Sequence, residues 1–142
     1  MGGQISLVLA MGSEEVALMS RHQETLDRAL SNLKRYASDL ERHGLLLGGS
    51  KDEVLSRVWT TTSLEEVVDG SEFIVEAVYE DLTVKREVFS RIDRLTPPTT
   101  ILASNTSSIP ITKIAEATKT PERVLGSHFI QPAHIVPIVE SR

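Results

Sequence analysis

Two hydrophobic periods alternate along this chain, one typical of buried strands and the other of amphipathic helices. Short, mostly apolar runs predict strands at 15–20, Val58–Thr61, 73–78, 100–104, Val124–Phe129 and 135–139. Apolar residues that recur every three or four positions predict helices at 23–43, 63–69, Leu82–Leu95 and 110–117. Strands that alternate with helices at this spacing form right-handed βαβ units around a parallel sheet. The pattern therefore predicts an α/β fold.

Local residues support several of these boundaries. Gly44 is a left-handed cap for the long helix, and Asp81 can cap the helix that follows the third strand. Ser63 and Glu66 have the spacing of a capping box at the start of a short helix. Pro110 is favoured in the first turn of a helix. These residues place the helices without changing the fold class.

Composition limits the classes of function. The chain has 142 residues, which suits a single domain over 1–142, and its formal net charge of −5 argues against nucleic-acid binding. Cysteine is absent, so thiolate metal sites and thiol nucleophiles are excluded, and we expect no metal. No apolar stretch approaches the roughly 20 residues that cross a bilayer, and the apolar run 5–11 has no positive charge ahead of it. We expect no membrane association and a cytoplasmic or organelle-matrix protein.

Polar residues follow three of the predicted strands, where ligands bind in open α/β sheets. Glu80 and Lys85 follow the third strand, the polar residues 104–108 follow the fourth, and His128 lies near the end of the fifth with Glu140 twelve residues later. Each group also has a structural explanation, namely a helix cap with a solvated lysine, an ordinary turn and a structural histidine. A carboxylate that hydrogen-bonds one imidazole nitrogen fixes the tautomer and raises the basicity of the other.

The same residues together resemble a known family. Its members share Ala103-Ser104-Asn105-Thr106-Ser107-Ser108, Gly126-Ser127-His128-Phe129 with Pro132 and Val139-Glu140, and a segment similar to 75–82 with Lys85. Residues 1–5 resemble the end of a dinucleotide-binding fingerprint. This colinear pattern resembles the 3-hydroxyacyl-CoA dehydrogenase family, with the λ-crystallin and gulonate dehydrogenase branch as its nearest relative. The resemblance implies a Rossmann-like parallel sheet with helices on both faces.

The resemblance also implies a reaction and its catalytic residues. Enzymes of this family oxidise the 3-hydroxyl of an acyl-CoA by hydride transfer to NAD. His128 matches the base that takes the hydroxyl proton, and Glu140 matches the carboxylate that orients the imidazole. Ser107 matches the serine that hydrogen-bonds the substrate oxygen near the nicotinamide. Catalysis is thus expected from His128, Glu140 and Ser107.

Further positions match the cofactor site of the family. Gly2 matches the last glycine of the fingerprint, and Glu80, Lys85 and Ser107 match residues that contact the cofactor. Gln131 stands where the family usually has asparagine. We therefore expect all five residues to bind NAD.

The cofactor itself remains open to two interpretations. An acidic residue that binds the ribose 2′-hydroxyl should end the second strand of the family fold, but Ser20 and Arg21 stand there. Arg21 either accepts the 2′-phosphate of NADP or is a solvated arginine. We expect Ser20 and Arg21 to bind the cofactor, with NAD as the family choice and NADP as the alternative.

The resemblance further implies a larger parent fold. The first strand, the first two fingerprint glycines and the helical C-terminal domain have no match in this chain. We expect a homodimer whose substrate is an acyl-CoA or a small hydroxy acid. The alternatives are another 3-hydroxy acid dehydrogenase of the λ-crystallin type, or a non-catalytic module that assembles through its open sheet.

Overall fold

Helices and strands alternate in the computed structural model, which describes residues 1–13 and 15–142. In chain order the elements are α1 (Gly2–Gly12), β1 (Val16–Met19), α2 (Gln23–Arg42), α3 (Lys51–Ser56), β2 (Val58–Thr61), α4 (Leu64–Val68), β3 (Phe73–Glu76), α5 (Leu82–Leu95), β4 (Ile101–Ser104), α6 (Ile111–Ala115), a 3₁₀ helix (Pro121–Arg123), β5 (Val124–Phe129) and β6 (Val139–Ser141). The α/β prediction is confirmed.

The chain forms two compact units. The first consists of Met1–Val67 with Gln131–Pro137, and the second of Val68–Ile130 with Ile138–Arg142. The single domain over 1–142 stays a prediction. Among the described residues, no helix combines the length and the apolar character that a membrane crossing requires.

The first unit is built on a pair of parallel strands. β1 and β2 pair in register from Val16 opposite Val58 to Met19 opposite Thr61. Side chains from α1, β1, α2 and α3 form its core: Leu7, Ala10, Val16, Leu33, Ala37, Leu40 and Val54. A Cβ on Gly2 would lie 3.4 Å from Leu18 Cδ1, so α1 begins close against β1.

The second unit contains a four-stranded sheet in the order β3-β4-β5-β6. β3, β4 and β5 are parallel, whereas β6 is antiparallel to β5. The predicted parallel sheet is confirmed for β3, β4 and β5, and β6 adds an antiparallel strand at its edge. Parallel pairing needs a crossover of a dozen or more residues, and the link from Phe129 to Val139 is too short for one.

The sixth predicted strand is misplaced in the sequence prediction. Strand 135–139 was expected, but β6 spans Val139–Ser141. The amides of Ile135 and Val136 both donate to the Pro132 carbonyl, at 3.0 and 2.9 Å. This turn keeps residues 132–136 out of the sheet, although their apolar character resembles that of a strand.

Two helices were not predicted. α1 is apolar along most of its length and lacks the polar face that marks a surface helix. α3 has a complete capping box, in which the Ser50 side chain accepts from the Glu53 amide and the Glu53 side chain accepts from the Ser50 amide.

The capping box predicted at Ser63 is only half formed. The Ser63 hydroxyl oxygen accepts from the Glu66 amide at 3.2 Å, as expected. The Glu66 carboxylate, however, accepts from the Thr61 hydroxyl instead of the Ser63 amide. Because Glu66 accepts from a strand residue, the second hydrogen bond of the capping box does not form.

Strand β3 ends two residues earlier than its apolar pattern predicts. The Val78 amide donates to Glu76 Oε1 at 2.6 Å, which turns the chain away from the sheet after Glu76. Asp81 caps α5 as predicted, because its Oδ1 accepts from the Val84 amide at 2.9 Å. Both contacts place the loop 77–81 at the carboxyl edge of the sheet.

Candidate functional site

The carboxyl ends of β3, β4 and β5 lie at one edge of the sheet in the second unit. The loop 77–81 follows β3, and residues 105–108, here called the serine turn, follow β4. His128 is the last residue but one of β5. Parallel pairing therefore brings all three predicted polar groups of this unit to one edge, as expected.

His128 and Glu140 face each other across two strands. They are register partners in the antiparallel pair β5–β6. His128 Nδ1 lies 3.4 Å from Glu140 Oε2, a long hydrogen bond. When Nδ1–H donates to the carboxylate, Nε2 is the unprotonated nitrogen, which is the state that a general base needs.

Glu140 has a second partner that was not predicted. Arg142 Nη2 donates to Glu140 Oε2 at 2.8 Å and to the Ser107 carbonyl at 3.2 Å. The hydrogen bond from Arg142 and then that from His128 lower the pKa of Glu140 below its usual value. The carboxylate thus stays ionised beside the imidazole.

Glu80 holds the serine turn in place. Its Oε1 accepts from the Thr106 hydroxyl, from the amides of Ser107 and Ser108, each at 3.2 Å, and from the Ser108 hydroxyl at 3.1 Å. The Ser107 hydroxyl has no hydrogen-bond partner among residues 1–13 and 15–142, and Ser107 is exposed. The turn therefore presents the Ser107 hydroxyl to solvent.

These contacts change the ionisation of Glu80. Burial raises the pKa of its carboxyl, but hydrogen bonds from Thr106 and Ser108 outweigh burial, and the Lys85 charge adds to them. The pKa of Glu80 falls from 4.5 to about 2. Glu80 is thus a fixed anion at neutral pH.

Lys85 lies in a buried ion pair beneath the turn. Its Nζ is 2.8 Å from Glu76 Oε1 and 3.3 Å from Glu80 Oε2, and the side chains of Lys85 and Glu76 are each 1% exposed. The Ser104 hydroxyl donates to Glu76 Oε2 at 2.6 Å. Lys85 was expected to contact the cofactor, and the structure places its ammonium against carboxylates within the protein.

Asn105 connects the serine turn to the strand that carries His128. Its Oδ1 accepts from the Phe129 amide at 2.8 Å. Together with the contact between Arg142 and the Ser107 carbonyl, this bond fixes the turn beside β5. Asn105 was not among the predicted site residues.

The remaining predicted residues lie in the first unit. Gly2 opens α1, whose N-cap residue Met1 makes no side-chain capping bond, and Gln131 Nε2 lies 3.8 Å from Met1 Sδ. Ser20 and Arg21 follow β1, and Arg21 is exposed with no ion-pair partner in the described part of the chain. Free amides at the start of α1 and an exposed guanidinium are groups that can bind phosphate.

Glu76 and Arg142 were also missed, although each had a signal in the sequence. Glu76 is the one charged residue in the apolar run 73–78, and a buried charge needs a partner. Arg142 lies two residues after Glu140, which is the spacing of one face of a strand.

Comparison with known proteins identifies the family. The family described as "3-hydroxyacyl-CoA dehydrogenase, NAD binding domain" matches residues 1–141. A 3-hydroxybutyryl-CoA dehydrogenase of Clostridioides difficile is 39% identical over 140 residues, which are 99% of this chain and 50% of that protein. The chain thus spans about half the length of this relative.

Solved structures give the same result. The 3-hydroxybutyryl-CoA dehydrogenase of Escherichia coli matches 99% of this chain and 30% of its own, with a TM-score of 0.92 and 34% identity. A 5-formyl-3-hydroxy-2-methylpyridine 4-carboxylic acid 5-dehydrogenase matches 99% of this chain and 45% of its own, with a TM-score of 0.89 and 33% identity. The chain belongs to the 3-hydroxyacyl-CoA dehydrogenase family and corresponds to its NAD-binding domain.

Proposed function

We propose that this chain is the NAD-binding part of an enzyme that oxidises the 3-hydroxyl of an acyl-CoA. The observation that carries the proposal is the contact between His128 and Glu140 across β5 and β6, next to an exposed serine hydroxyl on a fixed turn. A base and a hydroxyl-binding group at the carboxyl edge of parallel strands are what alcohol oxidation requires.

His128 acts as the general base in this proposal. Its Nε2 accepts the hydroxyl proton, and the Glu140 carboxylate, through Nδ1, stabilises the imidazolium that forms. A well-placed general base accelerates a reaction by about 10²- to 10⁴-fold. Bound NAD would supply the hydride acceptor for the carbon that carries the hydroxyl.

Ser107 orients the substrate in the same proposal. Its exposed hydroxyl can donate a hydrogen bond to the substrate oxygen, while Glu80 holds the Ser107 amide from beneath. Because the turn is held in place before any ligand binds, the serine pays little ordering cost when the substrate arrives.

The first unit, taken by itself, contains groups that suit the phosphates of a nucleotide. The amides at the start of α1, next to Gly2, suit a pyrophosphate, because Met1 provides no capping side chain to occupy them. Gln131 near Met1 and Ser20 after β1 add polar groups. Arg21 suits a ribose 2′-phosphate, so NADP remains the alternative cofactor.

The test of the cofactor measures protein and nucleotide fluorescence during titration with NADH and with NADPH. We expect both nucleotides to bind, and Arg21→Asp to weaken NADPH by about tenfold while it spares NADH. Arg28→Asp on α2 is a control that changes charge equally. If neither nucleotide binds the chain, the proposal is contradicted.

The test of the reaction follows NADH formation with 3-hydroxybutyryl-CoA and with free 3-hydroxybutyrate. In the enzyme of which this chain is the NAD-binding part, we expect oxidation of the 3-hydroxyl of the CoA thioester, and a loss of at least about 10²-fold in kcat for His128→Ala with unchanged NADH affinity. A preference for the free acid would favour a dehydrogenase of the λ-crystallin type. Equal losses in kcat and NADH affinity would make His128 a binding residue.

The assembly and the compartment stay predictions. We propose a homodimer, which sedimentation velocity tests directly, and a cytoplasmic or organelle-matrix protein, which subcellular fractionation tests. A chain that binds no nucleotide but associates through its sheet would favour the non-catalytic module instead.

A further inference from the structure

Arg142 lies where two parts of the candidate site meet. We infer that Arg142 is a positioning residue that couples the pair His128 and Glu140 to the serine turn. The inference rests on the proposed function only for the roles of His128 and Ser107. Its evidence is a set of contacts within the second unit.

Hydrogen bonds to β5 fix the backbone of Arg142, which directly follows β6. The Arg142 amide donates to the Gly126 carbonyl at 3.1 Å, and the Gly126 amide donates to the Arg142 carbonyl at 2.8 Å. Glu140 pairs with His128 two residues away on both strands. Since side chains alternate along a strand, Arg142 and Glu140 lie on the same face of the sheet.

Gly126 provides space for the arginine. A Cβ at position 126 would lie 3.3 Å from Arg142 Cβ and 3.0 Å from Ile111 Cδ1. A larger residue opposite Arg142 would therefore displace Ile111 or the base of the arginine side chain. This lack of space explains why the motif 126–128 begins with glycine in this chain.

One nitrogen of the guanidinium bridges two acceptors. Arg142 Nη2 has two N–H groups, and its contacts are Glu140 Oε2 at 2.8 Å and the Ser107 carbonyl at 3.2 Å. The same Glu140 oxygen faces His128 Nδ1. A continuous path of hydrogen bonds therefore runs from the Ser107 peptide through Arg142 and Glu140 to the imidazole.

Ser107 is held from both sides as a result. Its amide donates to Glu80 Oε1 and its carbonyl accepts from Arg142, so the hydroxyl is the polar group that remains for a ligand. The charged groups around the turn are Glu80 and Lys85 on one side and Glu140 and Arg142 on the other. Arg142 sets the distance between the serine and the base.

The test compares Arg142→Gln with the unaltered chain by NMR, without cofactor or substrate. We expect the pKa of Glu140 to rise towards its usual value, and the amide of Ser108, in the peptide after Ser107, to shift and exchange about three- to tenfold faster. Arg86→Gln is the matched control, because Arg86 and Glu116 form an ion pair of similar exposure in the same unit.

A double variant separates coupling from charge alone. In the unaltered chain, Glu140→Gln should shift the Ser108 amide, and in the Arg142→Gln background the same change should leave it unmoved. The inference is overturned if Arg142→Gln leaves the Ser108 amide unchanged, or if the effect of Glu140→Gln persists without Arg142. Because no nucleotide or substrate is present, failure of the proposed function would appear in the fluorescence titrations and the NADH-formation assay, and not in these spectra.

Discussion

Two buried ion pairs stabilise the second unit, one at each end of its sheet. Lys85 and Glu76 lie at the carboxyl ends of β3 and β4, beneath the serine turn. Arg123 and Asp93 lie near the amino ends of β4 and β5, where Arg123 Nη2 is 2.7 Å from Asp93 Oδ1. The pairs share chemistry and burial, but their surroundings differ.

The other hydrogen bonds of Arg123 and Asp93 are made to backbone groups. Arg123 donates to the carbonyls of Pro97, Thr100 and Asp93, at 2.6, 3.2 and 3.1 Å, and the Lys119 amide donates to Asp93 Oδ2 at 2.8 Å. Burial raises the pKa of Asp93, but the Lys119 amide and Arg123 outweigh it and lower the pKa. This pair joins α5 to the segments that enter β4 and β5.

The pair of Lys85 and Glu76 contacts a second carboxylate instead. Lys85 reaches Glu80, which in turn holds the exposed serine turn. Buried charge at one end of this sheet therefore joins elements of the fold, whereas at the other end it also holds the candidate site in place. Variants should therefore separate stability from nucleotide affinity.

The largest effect is expected for Arg123→Met. The change leaves the Asp93 carboxylate buried without a cation and deprives three carbonyls of a donor. We expect a loss of about 4 kcal/mol in the free energy of unfolding, measured by urea denaturation, with unchanged NADH affinity of the folded protein. Arg94→Met, exposed on the last turn of α5, should change stability by less than about 0.5 kcal/mol. If Arg94→Met lowered the free energy of unfolding as much as Arg123→Met, the stabilising role of the buried pair would be contradicted.

Lys85→Met should destabilise somewhat less and also weaken NADH binding. Glu76 loses its cation and stays buried, so we expect a loss of about 3 kcal/mol in the free energy of unfolding. Because Glu80 also loses Lys85, the serine turn should loosen and NADH affinity should fall. The double variant Lys85→Met with Glu76→Gln should recover most of the stability. Unchanged NADH affinity in Lys85→Met would assign Lys85 to the fold alone.

The sequence predicted the elements whose pattern of apolar residues is clear. The period of apolar residues placed α2, α5, β2 and β5 because each buries one face or both against neighbours. α1 was missed since its residues are apolar nearly all round, and β6 was misplaced since a turn at Pro132 competes with strand formation. Apolar patterns predict elements, and competing hydrogen bonds near their ends decide where the elements stop.

The candidate site was predictable only in part. His128 and Glu140 were identified by the family resemblance, and their contact depends on the antiparallel register of β5 and β6, which spacing alone does not give. Lys85 was expected at the cofactor because it matches a cofactor-contacting position of the family, and a solvated lysine was the structural alternative. Its burial follows from Glu76, a partner on the preceding strand.

Glu80→Gln tests the turn through the pH dependence of stability. The pKa of Glu80 is lowered from 4.5 to about 2, so its carboxylate contributes stability above pH 4.5 that is lost as the pH falls towards 2. We expect the variant to lose about 1 kcal/mol at neutral pH, after solvent screening, and to show a shallower decline between pH 4.5 and 2. The pKa of Asp93 is lowered as well, so part of the decline in stability should remain in the variant. An identical acid profile in both proteins would refute the role of Glu80.

The smallest effect is expected for Ser107→Ala. This variant tests whether the turn exposes the Ser107 hydroxyl without using it to stabilise the fold. Ser107 is exposed and is held through its backbone, so loss of its hydroxyl should change the free energy of unfolding by less than about 0.5 kcal/mol. Ser104→Ala is the control three residues earlier: its fully buried hydroxyl donates to Glu76, and its loss should cost about 1 to 2 kcal/mol. Thermal unfolding of both variants measures the two losses of stability. If Ser107→Ala proved the more destabilising, the hydroxyl would have a partner within the fold, and its assignment to the substrate would fail.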